Sequence, residues 1–144
     1  MSTQVYFEDV SEGTQLPILV KEPTHRQLVM YAGASGDYNV FHYDQNAARA
    51  NGLPNVVVHG ALKSAFLSQM LTNWSQSDGK LRKMNLRYRG LDIVDRPIFC
   101  KGQVICKYVE NDLNLVECDI WTENADGDQT TIGTAVIALP SRSQ

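Results

Sequence analysis

The feature of this sequence that most constrains its fold is one long apolar helical pattern followed only by strand-like segments. Apolar residues recur at helical spacing from Gly60 to about Trp74, and Leu67 widens the apolar stripe, which predicts a mostly buried helix. Four strand candidates follow it, at 81–91, 97–109, 113–122 and 130–139. Because no helical pattern separates these four segments, we expect an α+β fold in which an antiparallel sheet wraps around one helix.

The first half of the chain is predicted to be mainly helical. A short apolar run over 15–21 is a candidate edge strand, and 55–58 is a second brief strand candidate. Two short polar residues are expected to cap helices, Thr24 before a helix over 25–34 and Asp44 before a helix over 45–50.

Turn-forming residues separate strand candidates in the second half of the chain. Segment 110–112 and the Asp126-Gly127 pair are predicted to be hairpin turns, because Asn, Asp and Gly favour them. No Pro/Ser-rich linker or internal repeat divides the chain, so we expect a single domain over residues 1–144.

Composition narrows the classes of function. The chain has 144 residues, 43% of them hydrophobic, which suffices for a core, and its net charge of −3 argues against nucleic acid as the main partner. No stretch reaches the roughly 18 apolar residues of a membrane span, and the N-terminus has no signal-peptide pattern, so we expect a cytoplasmic protein. The three cysteines, Cys100, Cys106 and Cys118, are expected to be reduced, buried thiols rather than metal ligands.

A candidate catalytic pair lies just after the first predicted helix. Asp37 and His42 stand five residues apart in a segment where Gly33 and Gly36 weaken the helix, and such turns can direct side chains away from the core. Near neutral pH a carboxylate and an imidazole can divide the roles of proton donor and acceptor. The pair would suit addition of water to an enoyl thioester, or the reverse dehydration.

A candidate oxyanion donor lies at the start of the long helix. The free N–H groups there, at Gly60, could bind a thioester oxygen, and a glycine would let substrate approach the backbone closely. Each residue also has an ordinary structural interpretation: Asp37 as an Asx cap, His42 as a packing residue and Gly60 as a helix cap.

A longer motif adds family information. The string Ser35-Gly36-Asp37-Tyr38-Asn39-Val40-Phe41-His42, with Ala48 beyond it, resembles the signature of the MaoC-like (R)-specific enoyl-CoA hydratases and (R)-3-hydroxyacyl-thioester dehydratases. The later Val57-Val58-His59-Gly60-Ala61-Leu62 resembles that family's Val-His-Gly-Met-Leu segment. The resemblance implies a single hotdog fold and reversible hydration of trans-2-enoyl thioesters of coenzyme A or acyl carrier protein.

The resemblance also implies residue roles. Asp37 and His42 would be the catalytic dyad, Asn39 would orient their loop, and Gly60 would donate to the thioester carbonyl. Ser68, eight residues after Gly60, matches a family serine near the active site, or is an ordinary helix hydroxyl. His59 is expected to fix a loop rather than to act as a third catalyst.

Two residues depart from the family motif. Val40 replaces the usual proline, which predicts a looser loop, and Phe41 replaces a smaller aliphatic residue beside His42. Both changes concern substrate size more than reaction type, and Phe41 is expected to shape the substrate pocket.

The densest basic stretch could bind the anionic carrier of an acyl thioester. It contains Lys80, Arg82, Lys83, Arg87 and Arg89. Arg87 and Arg89 are predicted to share one face of a strand, either as a phosphate- or carrier-protein-facing patch or as an ordinary solvated face.

The resemblance implies that the protein assembles into oligomers. Family members dimerise to form a continuous sheet, so we expect a homodimer or higher homo-oligomer, or a heterodimer with a sister subunit. No metal or organic cofactor is expected. Two other functions stay open: a non-catalytic partner subunit of a heteromeric hydratase, and a thioesterase of the same fold. The absence of Asp and Glu from 60–74 argues against the thioesterase.

Overall fold

The computed structural model describes residues 3–143, in which five antiparallel strands form one sheet curled around a long helix. In chain order the strands and helices are β1 (Leu19–Lys21), α1 (His25–Ser35), α2 (Gln45–Ala50), α3 (Gly60–Ser75), β2 (Lys80–Tyr88), β3 (Ile98–Glu110), β4 (Leu113–Glu123) and β5 (Gln129–Ala138). The order across the sheet is β1-β3-β4-β5-β2, so β1 and β2 form its two edges. The predicted α+β hotdog architecture is confirmed.

Helix α3 covers the inner face of the sheet and forms the centre of the core. Its buried side chains are Leu62, Lys63, Phe66, Leu67, Met70, Leu71 and Ser75. The helix passes close to β3 at Gly102, where an added Cβ would lie 3.3 Å from the Met70 Cε atom. Leu67 is fully buried, and its truncation to alanine would cost about 2–5 kcal/mol of stability. The sequence predicted this buried helix correctly.

Side-chain caps start both short helices as predicted. The Thr24 hydroxyl accepts a hydrogen bond from the Gln27 N–H at 3.2 Å, and the Asp44 carboxylate accepts one from the Ala47 N–H at 3.0 Å. Helix α1 ends at Gly36, whose φ of 77° lies in the left-handed region that glycine tolerates best. The chain therefore turns sharply immediately before Asp37.

Two tight turns connect the last three strands. Asn111 and Asp112 join β3 to β4 with φ angles of 50° and 61°, as a two-residue primed turn requires. Between β4 and β5, Gly127 has a φ of 84°, and the Asn124 side chain accepts hydrogen bonds from the Asp126 and Asp128 N–H groups. Both predicted hairpins are present.

Two predicted strands end or begin several residues from where they were expected. Within 15–21 only Leu19–Lys21 forms a strand, and Gln15 makes an isolated bridge to Gln103, because the intervening Pro17 has no N–H to donate. The strand predicted over 81–91 ends at Tyr88.

Beyond Tyr88 the ladder becomes irregular. The Arg89 and Gly90 N–H groups both donate to the Thr130 carbonyl, so the alternating pairing of a regular strand stops there. The 55–58 run is not a strand but contains one bridge, Val57 to Ile93, because its backbone groups bond to two different segments.

The cysteines lie mainly in the core as free thiols. Cys100 and Cys118 are fully buried, whereas Cys106 is partly exposed. Burial raises the pKa of both Cys100 and Cys118 to about 12, which keeps them protonated. In the described part of the chain, no helix combines the length and the hydropathy that crossing a bilayer demands.

Candidate active site

The loop after α1 is shaped by short-range hydrogen bonds from its own side chains. The Asp37 N–H donates to the Ser35 hydroxyl at 3.2 Å, and the Asn39 N–H donates to Asp37 Oδ1 at 3.3 Å. Asn39 in turn accepts from the Phe41 N–H at 3.1 Å and caps a 3₁₀ turn over Val40–His42. The polar motif residues thereby build the turn that brings His42 back toward Asp37.

A backbone carbonyl fixes the tautomer of His42. Its Nδ1 lies 2.7 Å from the Val57 carbonyl oxygen, which can only accept, so Nδ1 carries a proton. In the neutral imidazole Nε2 is then the free proton acceptor. Nε2 lies 3.6 Å from Asp37 Oδ2, longer than a direct hydrogen bond, so a small polar molecule to one side of both atoms can hydrogen-bond to each.

The two members of this pair differ in exposure. The side chain of Asp37 is 49% exposed, whereas that of His42 is only 13% exposed. The carboxylate therefore faces solvent at the mouth of the site, and the imidazole lies deeper against the core.

His59 lies directly behind His42. The two rings stack with centroids 3.7 Å apart and planes inclined by 20°, and Tyr31 meets His59 edge-on at 4.8 Å. His59 is fully buried, and its Nε2 lies 3.3 Å from the Asp37 carbonyl oxygen. Burial lowers the pKa of His59, with a further decrease from His42 and an opposing increase from hydrogen bonding and charge at Asp37. The buried, neutral His59 ring therefore contacts both members of the pair, His42 through its ring and Asp37 through its backbone.

Three groups of metal-binding type occur together here. One ligand atom each from Asp37, His42 and His59 lies within 4.8 Å of the other two. The two imidazoles are nearly parallel, however, so their in-plane lone pairs point side by side rather than toward a common centre. The arrangement suits proton transfer better than metal coordination.

Gly60 begins α3 next to this cluster, as predicted. In residues 3–143 its N–H has no hydrogen-bond acceptor, since the first turn of a helix leaves such groups unpaired. A Cβ at this position would make a tight contact, because Tyr88 ring atoms lie 3.2 Å from it. The Tyr88 ring therefore lies against the Cβ side of Gly60, and the expectation that substrate approaches this backbone closely stays a prediction for its other sides.

The hydroxyl of Tyr88 extends this contact along α3. It is hydrogen-bonded to the Ser64 hydroxyl, which lies one turn beyond Gly60 and donates to the Gly60 carbonyl at 3.4 Å. Because Tyr88 is 53% exposed, its ring forms an accessible wall beside the helix N-terminus.

Two other predicted site residues, Ser68 and Phe41, make contacts of different kinds. Ser68 donates to the Ser64 carbonyl at 3.0 Å and also contacts the Met84 sulfur, about 12 Å along the helix axis from Gly60. Phe41 is half-buried in the 3₁₀ turn, and its carbonyl accepts from the Val57 N–H at 2.9 Å.

The two arginines do not share a strand. Arg87 is in β2, but Arg89 lies beyond the strand end, so the predicted common strand face is wrong. Tyr88 packs on Gly60 and Leu86 on the core, so Arg87 between them points away from α3. There it lines a 670 Å³ depression on the outer face of the sheet, together with Trp121.

Sequence reasoning missed several residues around the pair. The Val57 carbonyl carries no side-chain signal, and Tyr88 looks like an ordinary strand aromatic. Lys63 and Asp92 form an ion pair of 2.9 Å with side chains only 3% and 2% exposed. The one signal for this pair is a lysine within an otherwise apolar helix stripe, which can be read from the sequence.

The curled sheet around α3 defines a hotdog-fold protein, and comparison with known proteins identifies its family. The family model described as the MaoC like domain matches residues 9–98, more than half of the chain. The chain belongs to the MaoC-like domain family.

Individual relatives agree with this assignment. The (R)-specific enoyl-CoA hydratase of Rhodospirillum rubrum is 33% identical over 66 residues, which cover 46% of this chain and 45% of that protein. The alignment thus spans less than half of the relative's length. Among solved structures, the unliganded R-hydratase PhaJ1 of Pseudomonas aeruginosa has a TM-score of 0.88 at 21% identity, covering 96% of this chain and 88% of that one.

A second solved structure is a complex. A chain of the ChsH1-ChsH2 complex of Mycobacterium tuberculosis has a TM-score of 0.78 at 20% identity, covering 90% of this chain and 98% of that one. Both structures are similar to this chain in fold.

Proposed function

We propose that the protein is a hydro-lyase that interconverts trans-2-enoyl thioesters and (R)-3-hydroxyacyl thioesters. The observation that carries the proposal is the geometry of Asp37 and His42, two proton-transfer groups separated by 3.6 Å beside an unpaired helix N-terminus. The family assignment and the name of the Rhodospirillum rubrum relative support the substrate class and the stereochemistry.

In the hydration direction, Asp37 and His42 hold one water molecule next to C3 of the substrate. One of the two groups accepts a water proton as the oxygen bonds to C3, and the C2–C3 π electrons move toward the thioester carbonyl. The other group returns a proton to C2, which completes the addition of one water. Because Nδ1 of His42 is held protonated by Val57, the proton that His42 exchanges is the one at Nε2.

The developing charge on the thioester oxygen requires a donor. The unpaired N–H of Gly60, at the positive end of the α3 dipole, is suited to this role. The Tyr88 ring covers one side of Gly60, so the thioester approaches from the side that faces Asp37 and His42.

The acyl carrier is coenzyme A or acyl carrier protein in this proposal. The exposed basic residues Lys80, Arg82, Lys83, Arg87 and Arg89 offer positive charge for its phosphate or acidic groups. Charge reversal with Arg87→Glu and Arg89→Glu tests this role: KM for the thioester should rise while kcat is retained. An unchanged KM would exclude the patch.

The activity test uses the absorbance of the conjugated enoyl thioester. Wild-type protein should deplete a trans-2-enoyl-CoA, tested with a short and a long acyl chain, and Asp37→Asn and His42→Gln should each lower kcat/KM by about 10²-fold or more. Both substitutions affect partly exposed polar side chains, so circular dichroism should show an unchanged fold. Near-normal turnover by either variant would rule out the catalytic pair.

We further propose that the protein assembles through the sheet edge formed by β2. This nine-residue strand has one free edge, whereas the opposite edge strand β1 has only three residues. The partner is a second copy or a related subunit, in line with the two-component ChsH1-ChsH2 complex of Mycobacterium tuberculosis. Sedimentation analysis should give a dimer or larger assembly, and a monomer at micromolar concentration would contradict the proposal.

A further inference from the structure

Lys63 and Asp92 form a buried ion pair behind the candidate active site. The ammonium of Lys63 donates to Asp92 Oδ2 and to the Gly90 carbonyl, both at 2.9 Å. The lysine projects from the first turn of α3, and the aspartate lies in the segment between β2 and β3. The pair therefore ties the N-terminus of the central helix to residues 90–92.

The same segment holds the backbone that orients His42. The Asp92 carbonyl accepts from the Val58 N–H at 2.8 Å, and the Val56 carbonyl accepts from the Val94 N–H at 3.1 Å. Between these two bonds lies Val57, whose carbonyl binds His42 Nδ1. Two hydrogen bonds thus attach residues 56–58 to the segment that contains Asp92. They are made by Val56 and Val58, the two neighbours of the residue that accepts from His42.

Stability alone is a poor explanation for this ion pair. Removing two charges from water costs several kcal/mol per ion, and well-packed apolar residues often replace such pairs without loss of stability. What an ion pair supplies and an apolar pair lacks is a fixed direction for three polar groups, here the ammonium, the carboxylate and the Gly90 carbonyl.

We propose that Lys63 and Asp92 are positioning residues for His42. They fix residues 90–94, which hold the Val57 carbonyl at the place where it orients the imidazole and keeps its exchangeable proton at Nε2. The catalytic consequence rests on the proposed hydratase function, but the effect on the His42 hydrogen bond does not.

The experiment compares Lys63→Met, Asp92→Asn and the double variant Lys63→Met/Asp92→Leu with wild type. The primary readout is the imidazole Nδ1–H resonance of His42 in ¹H–¹⁵N spectra, assigned by its loss in His42→Gln. In wild type this proton should be downfield and slow to exchange, because it is hydrogen-bonded to Val57. In all three variants it should broaden or exchange at least about tenfold faster.

Stability and kinetics separate positioning from packing. The double variant should recover a melting temperature near that of wild type, because no unpaired charge stays buried, and yet keep the fast-exchanging proton. Its kcat should stay lowered about tenfold or more with KM little changed, since misplacement of a catalytic group affects chemistry first. Ile137→Val, a fully buried change on β5, serves as a matched control with wild-type kcat and resonance.

The outcomes are distinct. A double variant with a wild-type His42 resonance would overturn the positioning proposal. Should the single variants fail to fold, the double variant still decides between the two roles. Wild-type protein without activity on enoyl thioesters would contradict the proposed function, while the resonance would continue to test the positioning of His42.

Discussion

The imidazole rings of His42 and His59 stack 3.7 Å apart, which places two titratable groups of the same type in direct contact. Two adjacent imidazolium ions repel, and His59 is the deeper of the two rings, with no exposed surface. Burial and His42 therefore favour the neutral state of His59, and Asp37 opposes them.

We expect NMR titration to show this coupling. Burial and His42 lower the pKa of His59, while Asp37 raises it. His42→Gln should therefore raise the pKa of His59, and Asp37→Asn should lower it further. Opposite shifts in the two variants would establish the coupling, whereas an unmoved titration in both would show that His59 responds to burial alone.

The same ring predicts how stability depends on pH. In the unfolded chain a histidine titrates near pH 6.5, but in the folded state the pKa of His59 lies lower, so below about pH 6.5 the unfolded state binds more protons. The free energy of unfolding should consequently fall as the pH drops from about 6.5 toward the folded pKa. His59→Gln should flatten this part of the profile in urea titrations, whereas the control Ile137→Val, a buried change without a titratable group, should keep the wild-type slope. Parallel profiles for wild type and His59→Gln would contradict the prediction.

Gly60 and Tyr88 should show energetic coupling. An alanine Cβ at position 60 would lie 3.2 Å from the Tyr88 ring, tighter than ordinary van der Waals contact, so the ring has to move. In a double-mutant cycle, Gly60→Ala should cost at least about 0.5 kcal/mol more stability with Tyr88 present than in a Tyr88→Ala background. Tyr88→Phe keeps the ring and should retain the coupling. Strictly additive effects would show that the ring yields freely.

The sequence predicted elements better than it predicted their ends. Periodicity located α3 and the long strands, and local polar residues located the caps at Thr24 and Asp44. The error at Arg89 arose because the strand end depends on a Thr130 carbonyl that two N–H groups share, a contact between distant parts of the chain.

The candidate active site was likewise predictable only in part. Asp37, His42 and Gly60 could be found because a motif places them, and the structure brings all three into one region. The Val57 carbonyl, the Tyr88 ring and the Lys63–Asp92 pair were missed because their roles come from tertiary contacts. Lys63 stands out only as a charge within an apolar helix stripe, and the sequence gives no sign that Asp92 is its partner.

Thiol accessibility provides a separate test of the core. Burial raises the pKa of Cys100 and Cys118 to about 12, so native protein treated with iodoacetamide near pH 8 should be alkylated at neither residue. Cys106, partly exposed at the β3 bulge, should react slowly, because desolvation and Glu117 raise the pKa of its thiol. Mass spectrometry should find all three modified in concentrated guanidinium, and Cys106→Ser should abolish native labelling. Native modification of Cys100 or Cys118 would mean that the sheet opens.

One substitution in the turn between β3 and β4 should increase the stability of the protein. Asn111 and Asp112 both have positive φ angles, and Asp112 at 61° adopts a conformation that glycine reaches without a Cβ clash. Asp112→Gly would create the Asn-Gly pair preferred in such turns and should stabilise the protein by about 0.5–1 kcal/mol, measured by urea unfolding. The control Asn111→Ala forces a poorer residue into the same region and should destabilise it. A loss of stability in Asp112→Gly would mean that the Asp112 side chain contributes more to the turn than its backbone strain costs.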